Sequence, residues 1–516
     1  MNDAQPADAI ALAASIARGE TSATEALQAA IGNVERLNAR INAVCNPAYE
    51  HGLAAARAID AELAGLGADQ RRALLRRRPL LGVPSLLKDL TIAAVGLPCT
   101  MGSRMFGAIH ANADAELVAR YRRAGLVLFG RTTSPEMGIS PSTEAVAYGG
   151  PTRNPWNPAH SSGGSSGGAA AAVAAGMVRI AHASDGAGSI RIPSNCCGVL
   201  GLKPSRGLMP AGPFVGEGWG GLATEHVVSW TVRDSAQALD ISAGADTGAP
   251  YAAPPVAGSY LDAARIDVAS SRSRAPARIA LLARTLDGVA IDPEVEQAVR
   301  QAGALFAGLG HALEEAAPRI TTEEIVRPVA LVMACGTSML VDAALRERGL
   351  TLENADLEPV TRSAVQIGRD MSAAQYLELV VMLHALTRRI AEFFSPVAGL
   401  PARTGAARGF DFMLMPVLAE PAARLGRFAM NWPDYVDYRL GPTGLIHYSP
   451  FTPLANMTGQ PAISVPFATS KGGLPIGVQI VGRFGDDAGV LRLAAEIEAA
   501  RPWIDHRPHS HRLTQW

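Results

Sequence analysis

The 516-residue chain has little of several features that mark particular classes of protein. Its five cysteines are an odd number without CxxC spacing, which argues against a disulfide framework and indicates a reducing compartment. Its 46 basic and 47 acidic residues nearly cancel, so no charge excess marks a surface for nucleic acid or an anionic membrane. The longest uncharged apolar run, about eleven residues near Ala169, is too short to span a bilayer. We therefore expect a cytoplasmic protein that binds neither nucleic acid nor membrane.

Two further absences concern targeting and metal binding. No basic segment precedes the apolar stretch Ala9–Ala17, so we expect no signal peptide. The sequence has no HExxH motif, and its only clustered histidines, His506, His509 and His511, lie in a polar tail after the last predicted helix. We expect neither a metal ion nor an organic cofactor.

Apolar residues make up 48% of the chain, in segments that alternate between helix and strand patterns. Periodicity predicts, among others, the helices Thr322–Arg348 and Asp487–Ala500 and the strand Pro475–Gly482. Strands that alternate with helices predict a layered α/β protein. The basic run Arg71–Arg78 is expected in a solvated surface loop. Residues 245–274, rich in Pro, Gly, Ala and Ser, are the best candidate for a linker-like excursion.

Small residues concentrate in the stretch Gly149–Pro204. Its loop Ser161–Gly168 contains four serines and four glycines, and glycine permits backbone bends that other residues resist. An uncharged Ala-rich segment, predicted to be a buried helix, follows, and then a strand that ends at a second small-residue turn, Asp185–Ser189. Either turn alone is typical of a flexible linker. Linkers are not followed at once by uncharged apolar helices, so the pair of turns favours a site.

Several chemistries remain open for this stretch. The pattern Gly163–Gly167 fits the G-x-S-x-G elbow of α/β-hydrolases, but residues 157–162 before it cannot form the core strand that the elbow requires. Cys196 and Cys197 lie in an apolar context that is typical of inert buried thiols. Lys88 lies among apolar residues. A snorkelling side chain explains such a lysine, and so does a lysine buried enough to lose its proton and act as a base.

The chain resembles the amidase signature family over essentially its whole length. The matching motifs occur in the family's order and spacing: GVPSLLKDL at 82–90, GPTRNPWNP at 150–158, SSGGSSGG at 161–168, DGAGSIRIPSNCCGVLGLKP at 185–204, and GQPAISVPF with GLPIGVQIVG near the C-terminus. Within the family it is most similar to the bacterial branch that includes 6-aminohexanoate-cyclic-dimer hydrolases.

The resemblance implies a single amidase domain over residues 1–516. We expect its fold to be an α/β/α sandwich, with a large mixed sheet covered by helices on both faces. An N-terminal helical layer would occupy residues 1–66, and the signature core would occupy residues 80–210.

The resemblance also implies a Ser–cis-Ser–Lys triad. Ser189 matches the family's nucleophile, Lys88 its base, and Ser165 a bridging serine that follows a cis peptide bond. Lysine chemistry agrees with this assignment, because a serine hydroxyl needs an adjacent base and a desolvated lysine can supply one.

Further site residues follow from the same resemblance. Backbone N–H groups of the turn would bind the oxyanion, and the turn residues are Gly186, Ala187, Gly188 and Ser189. The residues expected to support this turn from behind are Asp185, Arg191 and Ser166. Ala187 replaces a glycine that many members have there, so its methyl group is expected to restrict the turn or trim the pocket. The candidates for the substrate pocket are Met137, Gly138, Trp219 and Cys335, with the segments 137–144, 214–221 and 432–438.

These residues predict an amidohydrolase that cleaves a C–N amide bond through a serine acyl-enzyme. Its substrate would be a small linear or cyclic amide, with carbamate (urethane) or ester hydrolysis as a main or side activity. Two alternatives stay open: a subunit of an amidotransferase complex, and an α/β-hydrolase-type esterase that uses Ser165. A homodimer is compatible with all of these predictions.

Overall fold

The computed structural model of the chain describes residues 8–254, 256, 258–265, 276–394 and 409–508. Within these residues the helices are α1 Ala9–Arg18, α2 Ala23–Ile41, α3 Tyr49–Ala64, α4 Ala68–Arg77, α5 Glu116–Arg123, α6 Gly167–Ala174, α7 Arg191–Cys197, α8 Val232–Ser242, α9 Tyr260–Ala263, α10 Pro293–Gly308, α11 Thr322–Arg348, α12 Pro359–Asp370, α13 Ala373–Ala391, α14 Tyr435–Leu440, α15 Leu445–Tyr448, α16 Pro453–Thr458 and α17 Asp487–Ala500. The strands are β1 Val44–Cys45, β2 Pro84–Lys88, β3 Val127–Thr132, β4 Arg153–Asn154, β5 Asn157–Ser161, β6 Ile180–Asp185, β7 Leu200–Lys203, β8 Thr224–Ser229, β9 Arg278–Leu281, β10 Ala312–Glu315, β11 Phe412–Pro416, β12 Ala462–Thr469 and β13 Pro475–Gly482.

Eleven of these strands form one sheet in the order β1-β3-β2-β6-β8-β7-β12-β13-β11-β9-β10. Strand β2 runs parallel to β3 and to β6, and β9 runs parallel to β10 and β11. The remaining neighbours are antiparallel. The sheet is therefore mixed, and helices pack against it, which confirms the predicted α/β/α fold.

Register brings two predicted site segments to one edge of this sheet. Ser85 of β2 pairs with Ile180 of β6, and the two strands are parallel. Because parallel strands end at the same edge, Lys88 at the end of β2 lies beside Ser184 and Asp185 at the end of β6.

Helix α6 is wholly buried behind this edge. Its sequence, GGAAAAVA, has no charge and almost only small side chains, so it can approach its neighbours closely. It packs against β6 and α7. At its first turn a Cβ on Gly168 would overlap Thr133, so only glycine fits there.

The basic run near the N-terminus differs from its prediction. Most of it lies on α4, an exposed helix, so the predicted surface loop is wrong. Arg71 donates to the carbonyls of Leu66 and Leu63 at 3.0 and 2.9 Å, which fixes the run against the end of α3. The charges of the run correctly indicated that it is exposed to solvent, but they did not indicate whether it is a loop or a helix. A helix that buries little apolar surface tolerates charge on most of its faces.

Helix α11 is, among the described helices, the one long and apolar enough to cross a membrane. Of its most apolar stretch of 18 residues, 61% is buried inside the protein, which is typical of a core helix. Residues 255, 257 and 266–274 of the predicted linker 245–274 lie outside the described part of the chain. Within the described part, the short helix α9 interrupts this segment.

Candidate active site

Lys88 lies at the end of β2 with its ammonium group among serine oxygens. Its Nζ is 2.7 Å from Ser165 Oγ and 2.9 Å from Ser184 Oγ. Burial lowers the pKa of Lys88 from 10.5 to about 7, and the carboxylates of Glu225 and Asp185 offset part of that effect. A lysine in this state is neutral in a large fraction of molecules at neutral pH, so it can accept a proton.

Ser165 occupies a sharply bent loop between β5 and α6. The Gly164–Ser165 peptide bond is cis. A Cβ on Gly164 would lie 2.7 Å from the Ser140 carbonyl oxygen, and one on Gly163 would lie 2.7 Å from Pro193 Cα. The glycines are therefore required because other backbone segments approach the loop on both sides.

Ser166 joins this loop to the second small-residue turn. Its backbone N–H donates to the Ser189 carbonyl at 3.1 Å, and its hydroxyl donates to the Ser184 carbonyl at 3.1 Å. The two turns singled out from the sequence thus meet in space. Ser189 is partly exposed, and within the described residues its hydroxyl makes no hydrogen bond with Ser165.

Asp185 and Arg191 form a fully buried ion pair behind the second turn. The Arg191 guanidinium donates to both Asp185 oxygens at 2.9 Å, and its other contacts include Gln479 Oε1 at 2.7 Å and Asn456 Oδ1 at 2.6 Å. Burial alone would raise the pKa of Asp185, but the charge and hydrogen bonds of Arg191 lower it below its ordinary value. Asp185 therefore stays ionised at any pH near neutrality.

The ionised carboxylate organises the backbone of the turn. It accepts hydrogen bonds from the N–H groups of Gly188 at 2.6 Å and Ile190 at 3.1 Å. The Gly188 N–H is thus already engaged, unlike those of Gly186, Ala187 and Ser189, for which the described residues supply no acceptor.

Ala187 fits the turn without strain. Gly188 has a φ of 127°, a region that favours glycine, whereas Ala187 does not have a positive φ. The Ala187 carbonyl accepts a hydrogen bond from Thr452 Oγ1 at 2.8 Å. The extra methyl group therefore does not distort the turn, and Ala187 lies in the wall of the adjoining cavity.

A cavity opens beside Ser189. Its wall is mostly apolar and is built from segments far apart in the sequence, namely Gly138, Ile139, Ser140, Pro141, Gly164, Ala187, Ser189, Ile192, Val326, Met333, Arg439, Leu445, Ser449 and Pro453. One charged residue, Arg439, belongs to this wall.

The four predicted pocket residues have different environments. Gly138 lines the cavity, and a Cβ on it would lie 3.4 Å from Ser165 Oγ. Met137 is buried just before it, with a φ of 54°. Trp219 packs against the turn, since a Cβ on Gly186 would lie 2.5 Å from its ring. Cys335 is outside the wall, and its thiol is 3.4 Å from Met371 Sδ.

The competing chemistries find less support in the geometry. Strand β5, which precedes Ser165, pairs with β4 in a separate two-stranded sheet and forms one isolated bridge, His160 with Arg424, so Ser165 does not follow a strand of the main sheet as the elbow requires. Cys196 is buried on α7, and burial raises the pKa of its thiol to about 12. No group of three potential metal ligands occurs among the described residues. The His506 ring packs against Trp156 at a tilt of 47°, with 4.9 Å between the ring centres, and the other two tail histidines lie outside the described part of the chain.

Other proteins are similar to this chain in sequence and in fold. The family model Amidase matches residues 25–491. The chain belongs to the amidase family. Membership makes it an amide-hydrolysing enzyme and confirms the family predicted from its motifs.

Relatives with described activities cover nearly the whole chain. The 6-aminohexanoate-cyclic-dimer hydrolase of Paenarthrobacter ureafaciens is 33% identical over 510 residues, which are 97% of this amidase and 96% of that protein. The solved structure of a 6-aminohexanoate cyclic dimer hydrolase with its substrate has a TM-score of 0.84, at 32% identity over 98% of this chain and 99% of that one. A bacterial aryl acylamidase of the amidase signature family has a TM-score of 0.83, at 25% identity over 99% and 98% of the two chains.

Proposed function

We propose that this amidase hydrolyses small amides through an acyl-enzyme on Ser189, with Ser165 and Lys88 as proton carriers. The observation that carries the proposal is the hydrogen bond of 2.7 Å between Lys88 Nζ and Ser165 Oγ, on a lysine that is fully buried. A neutral lysine in that position can receive a proton through the Ser165 hydroxyl.

The first half-reaction forms the acyl-enzyme. Ser189 Oγ attacks the amide carbon while its proton passes to Ser165 Oγ and the Ser165 proton passes to Lys88 Nζ. The negative charge that develops on the carbonyl oxygen would be stabilised by the free N–H groups of the turn. Lys88 then returns its proton through Ser165 to the leaving nitrogen, the C–N bond breaks, and the amine departs.

The second half-reaction repeats this sequence with water. Water attacks the acyl carbon, its proton travels to Lys88, and the proton returns to Ser189 Oγ as the carboxylic acid leaves. Every proton that Lys88 accepts is returned, so the enzyme ends in its initial state. The Asp185–Arg191 pair would hold the turn in shape throughout, because it binds two backbone N–H groups of the turn.

The substrate class rests on the relatives. Proteins one-third identical to this chain act on the cyclic dimer of 6-aminohexanoate, so linear and cyclic oligoamides are the foremost candidates. Carbamates and esters form the same kind of tetrahedral intermediate as amides, and we propose them as secondary substrates. An esterase that uses Ser165 as nucleophile is disfavoured, because Ser165 is 1% exposed and its hydroxyl is hydrogen-bonded to Lys88 Nζ.

Mapping a covalent adduct tests the assignment. The enzyme is incubated with a fluorophosphonate, digested, and sequenced by mass spectrometry, and the adduct is expected on Ser189. Ser189→Ala is expected to lose both the adduct and nearly all turnover of a nitroanilide. Ser194→Ala, a buried serine of the neighbouring helix, is the matched control and should retain both. An adduct on Ser165 would contradict the proposal and restore the esterase alternative.

A further inference from the structure

Arg439 is a charged residue in the wall of the cavity beside Ser189. It lies on α14 and is 7% exposed. Its guanidinium lies over the Tyr435 ring, 5.2 Å from the ring centre. Burial of this cation next to the reacting serine calls for an explanation, because charged side chains in protein interiors are normally paired.

The protein satisfies only part of the hydrogen-bonding capacity of Arg439. Its Nη2 donates to the Ile139 carbonyl at 2.6 Å. Its Nε is buried and has no acceptor. No ion pair of the described residues includes Arg439, although a guanidinium has five N–H donors.

Arg191 shows what a satisfied buried arginine looks like in the same molecule. It has Asp185 as counter-ion, and its remaining donors bind Thr452, Gln479 and Asn456. Arg439 has no counter-ion among the described residues, and its contacts with the protein are the Ile139 carbonyl and the Tyr435 side chain. An unpaired buried cation is costly, so a group supplied from the cavity is the expected partner.

The rest of the wall limits what such a partner can be. Most other residues of the cavity wall are apolar, among them Ile192, Val326, Met333 and Leu445. Apolar walls bind hydrocarbon, and a guanidinium binds a carboxylate through two parallel hydrogen bonds. Together they match a molecule with an apolar chain that ends in a carboxylate.

We propose that Arg439 binds a carboxylate of the substrate, so that the preferred substrates are linear amides with an apolar spacer and a terminal carboxylate. The inference rests on the proposed function, because it takes Ser189 as the reacting group of the same cavity. Arg439 is thus a specificity-determining residue that separates anionic from neutral amides.

Two pairs of probe amides test the proposal. One pair has the charge on the acyl side: the mono-nitroanilide of adipic acid and an isosteric nitroanilide with a branched hydrocarbon end. The other pair has it on the amine side: an N-hexanoyl amino acid with a five-methylene spacer and the matching N-hexanoyl alkylamine. In at least one pair, kcat/KM is expected to favour the carboxylate by at least about tenfold, mostly through KM, since a charge-assisted hydrogen bond is stronger than a neutral one.

Variants assign that preference to Arg439. Arg439→Gln is expected to bring the carboxylate-to-neutral ratio close to one, and Arg439→Lys to restore part of it. Arg427→Gln, which removes an arginine that pairs with Glu420 near the surface, is the matched control and should keep the wild-type ratio. Equal losses on both members of a pair in Arg439→Gln would assign Arg439 a structural role and overturn the proposal. So would a wild-type enzyme without preference in either pair, or one that favours the neutral amides.

Binding to the inactive enzyme separates this inference from the proposed function. Calorimetry on Ser189→Ala is expected to show tighter binding of the carboxylate probe, and Arg439→Gln in that background should remove the difference. If the Ser189→Ala enzyme still turned over amides, the proposed acyl-enzyme would be refuted. The carboxylate-to-neutral ratio of kcat/KM would still test the role of Arg439. An unchanged ratio in Arg439→Gln would refute the carboxylate site alone.

Discussion

Burial of Lys88 gives the amidase a defined pH dependence. If neutral Lys88 starts the reaction, kcat/KM follows the neutral fraction of a group whose pKa is about 7. The rate should then reach half of its plateau near pH 7 and fall to about one hundredth of it at pH 5. Asp185 keeps its charge over this range because Arg191 holds its pKa low, so it adds no second step.

Glu225 offers a way to move this profile without touching the reacting groups. Its carboxylate is 2.9 Å from His182 Nε2, and His182 Nδ1 accepts the backbone N–H of Lys88 at 3.2 Å. The charge of Glu225 raises the pKa of Lys88. Because the Glu225 side chain is 26% exposed, solvent screens this effect. Glu225→Gln should therefore move the acid midpoint down by about half to one pH unit.

The assay is kcat/KM for a nitroanilide between pH 5 and 9 at low and high salt. Glutamine can still accept the His182 hydrogen bond, so the variant isolates the charge, and its effect should shrink at high salt. Glu496→Gln changes a second His–Glu pair, with His311 at 2.7 Å, and should leave the midpoint where it is. A midpoint that stays fixed or rises in Glu225→Gln would refute the electrostatic reasoning. Near-native kcat in Lys88→Arg would refute Lys88 as the base.

Three further substitutions test the site. Lys88→Met should abolish turnover yet stabilise the fold by on the order of a few kcal/mol at pH 7. The native pKa of Lys88 lies below the unfolded value, so wild-type stability rises from pH 7 to 10.5 and the gain in Tm should shrink over that window. Asp185→Asn leaves buried Arg191 unpaired and should lower the free energy of unfolding by about 3–5 kcal/mol in urea titrations. Gly188→Ala should lower kcat at least about tenfold, because its Cβ would overlap Thr452 at a φ of 127°, whereas Gly426→Ala, a glycine with open space around it, should not.

The elements that could be predicted from the sequence are those with strong local signals. Helix α11 has its predicted bounds, since a capping box at Thr321 and Glu324 starts it and Gly349 ends it. Strand β13 and helix α17 also match their predicted bounds, because a turn with glycines precedes the strand and Asp486 caps the helix. In each case local chemistry and tertiary packing favour the same conformation.

Other elements have no such local signal. Helix α7 contains a proline, two cysteines and two further poor helix formers, yet all seven of its residues are buried and helical. It begins where Asp185 accepts the N–H groups of Ile190 and Arg191, so the start signal comes from a side chain before the turn and not from a residue at the usual capping position. The same limit applies to the cavity. Gly138 and Arg439 lie about three hundred positions apart, and only the folded chain shows that they share one wall.

One signal of the site was nevertheless present in the composition. The chain has three lysines, Lys88, Lys203 and Lys471, and arginine supplies its remaining basic side chains. Two of these lysines are fully buried, and burial lowers the pKa of each to about 7. An arginine cannot lose its proton in a protein, so a chain that prefers arginine elsewhere retains lysine where a neutral amine is tolerated or used. Lys203 donates to the Pro204 carbonyl and neighbours the Asp185–Arg191 pair, whereas Lys88 contacts two serine hydroxyls. The hydroxyl contacts, not the burial that both lysines share, are what distinguish a base from a structural amine.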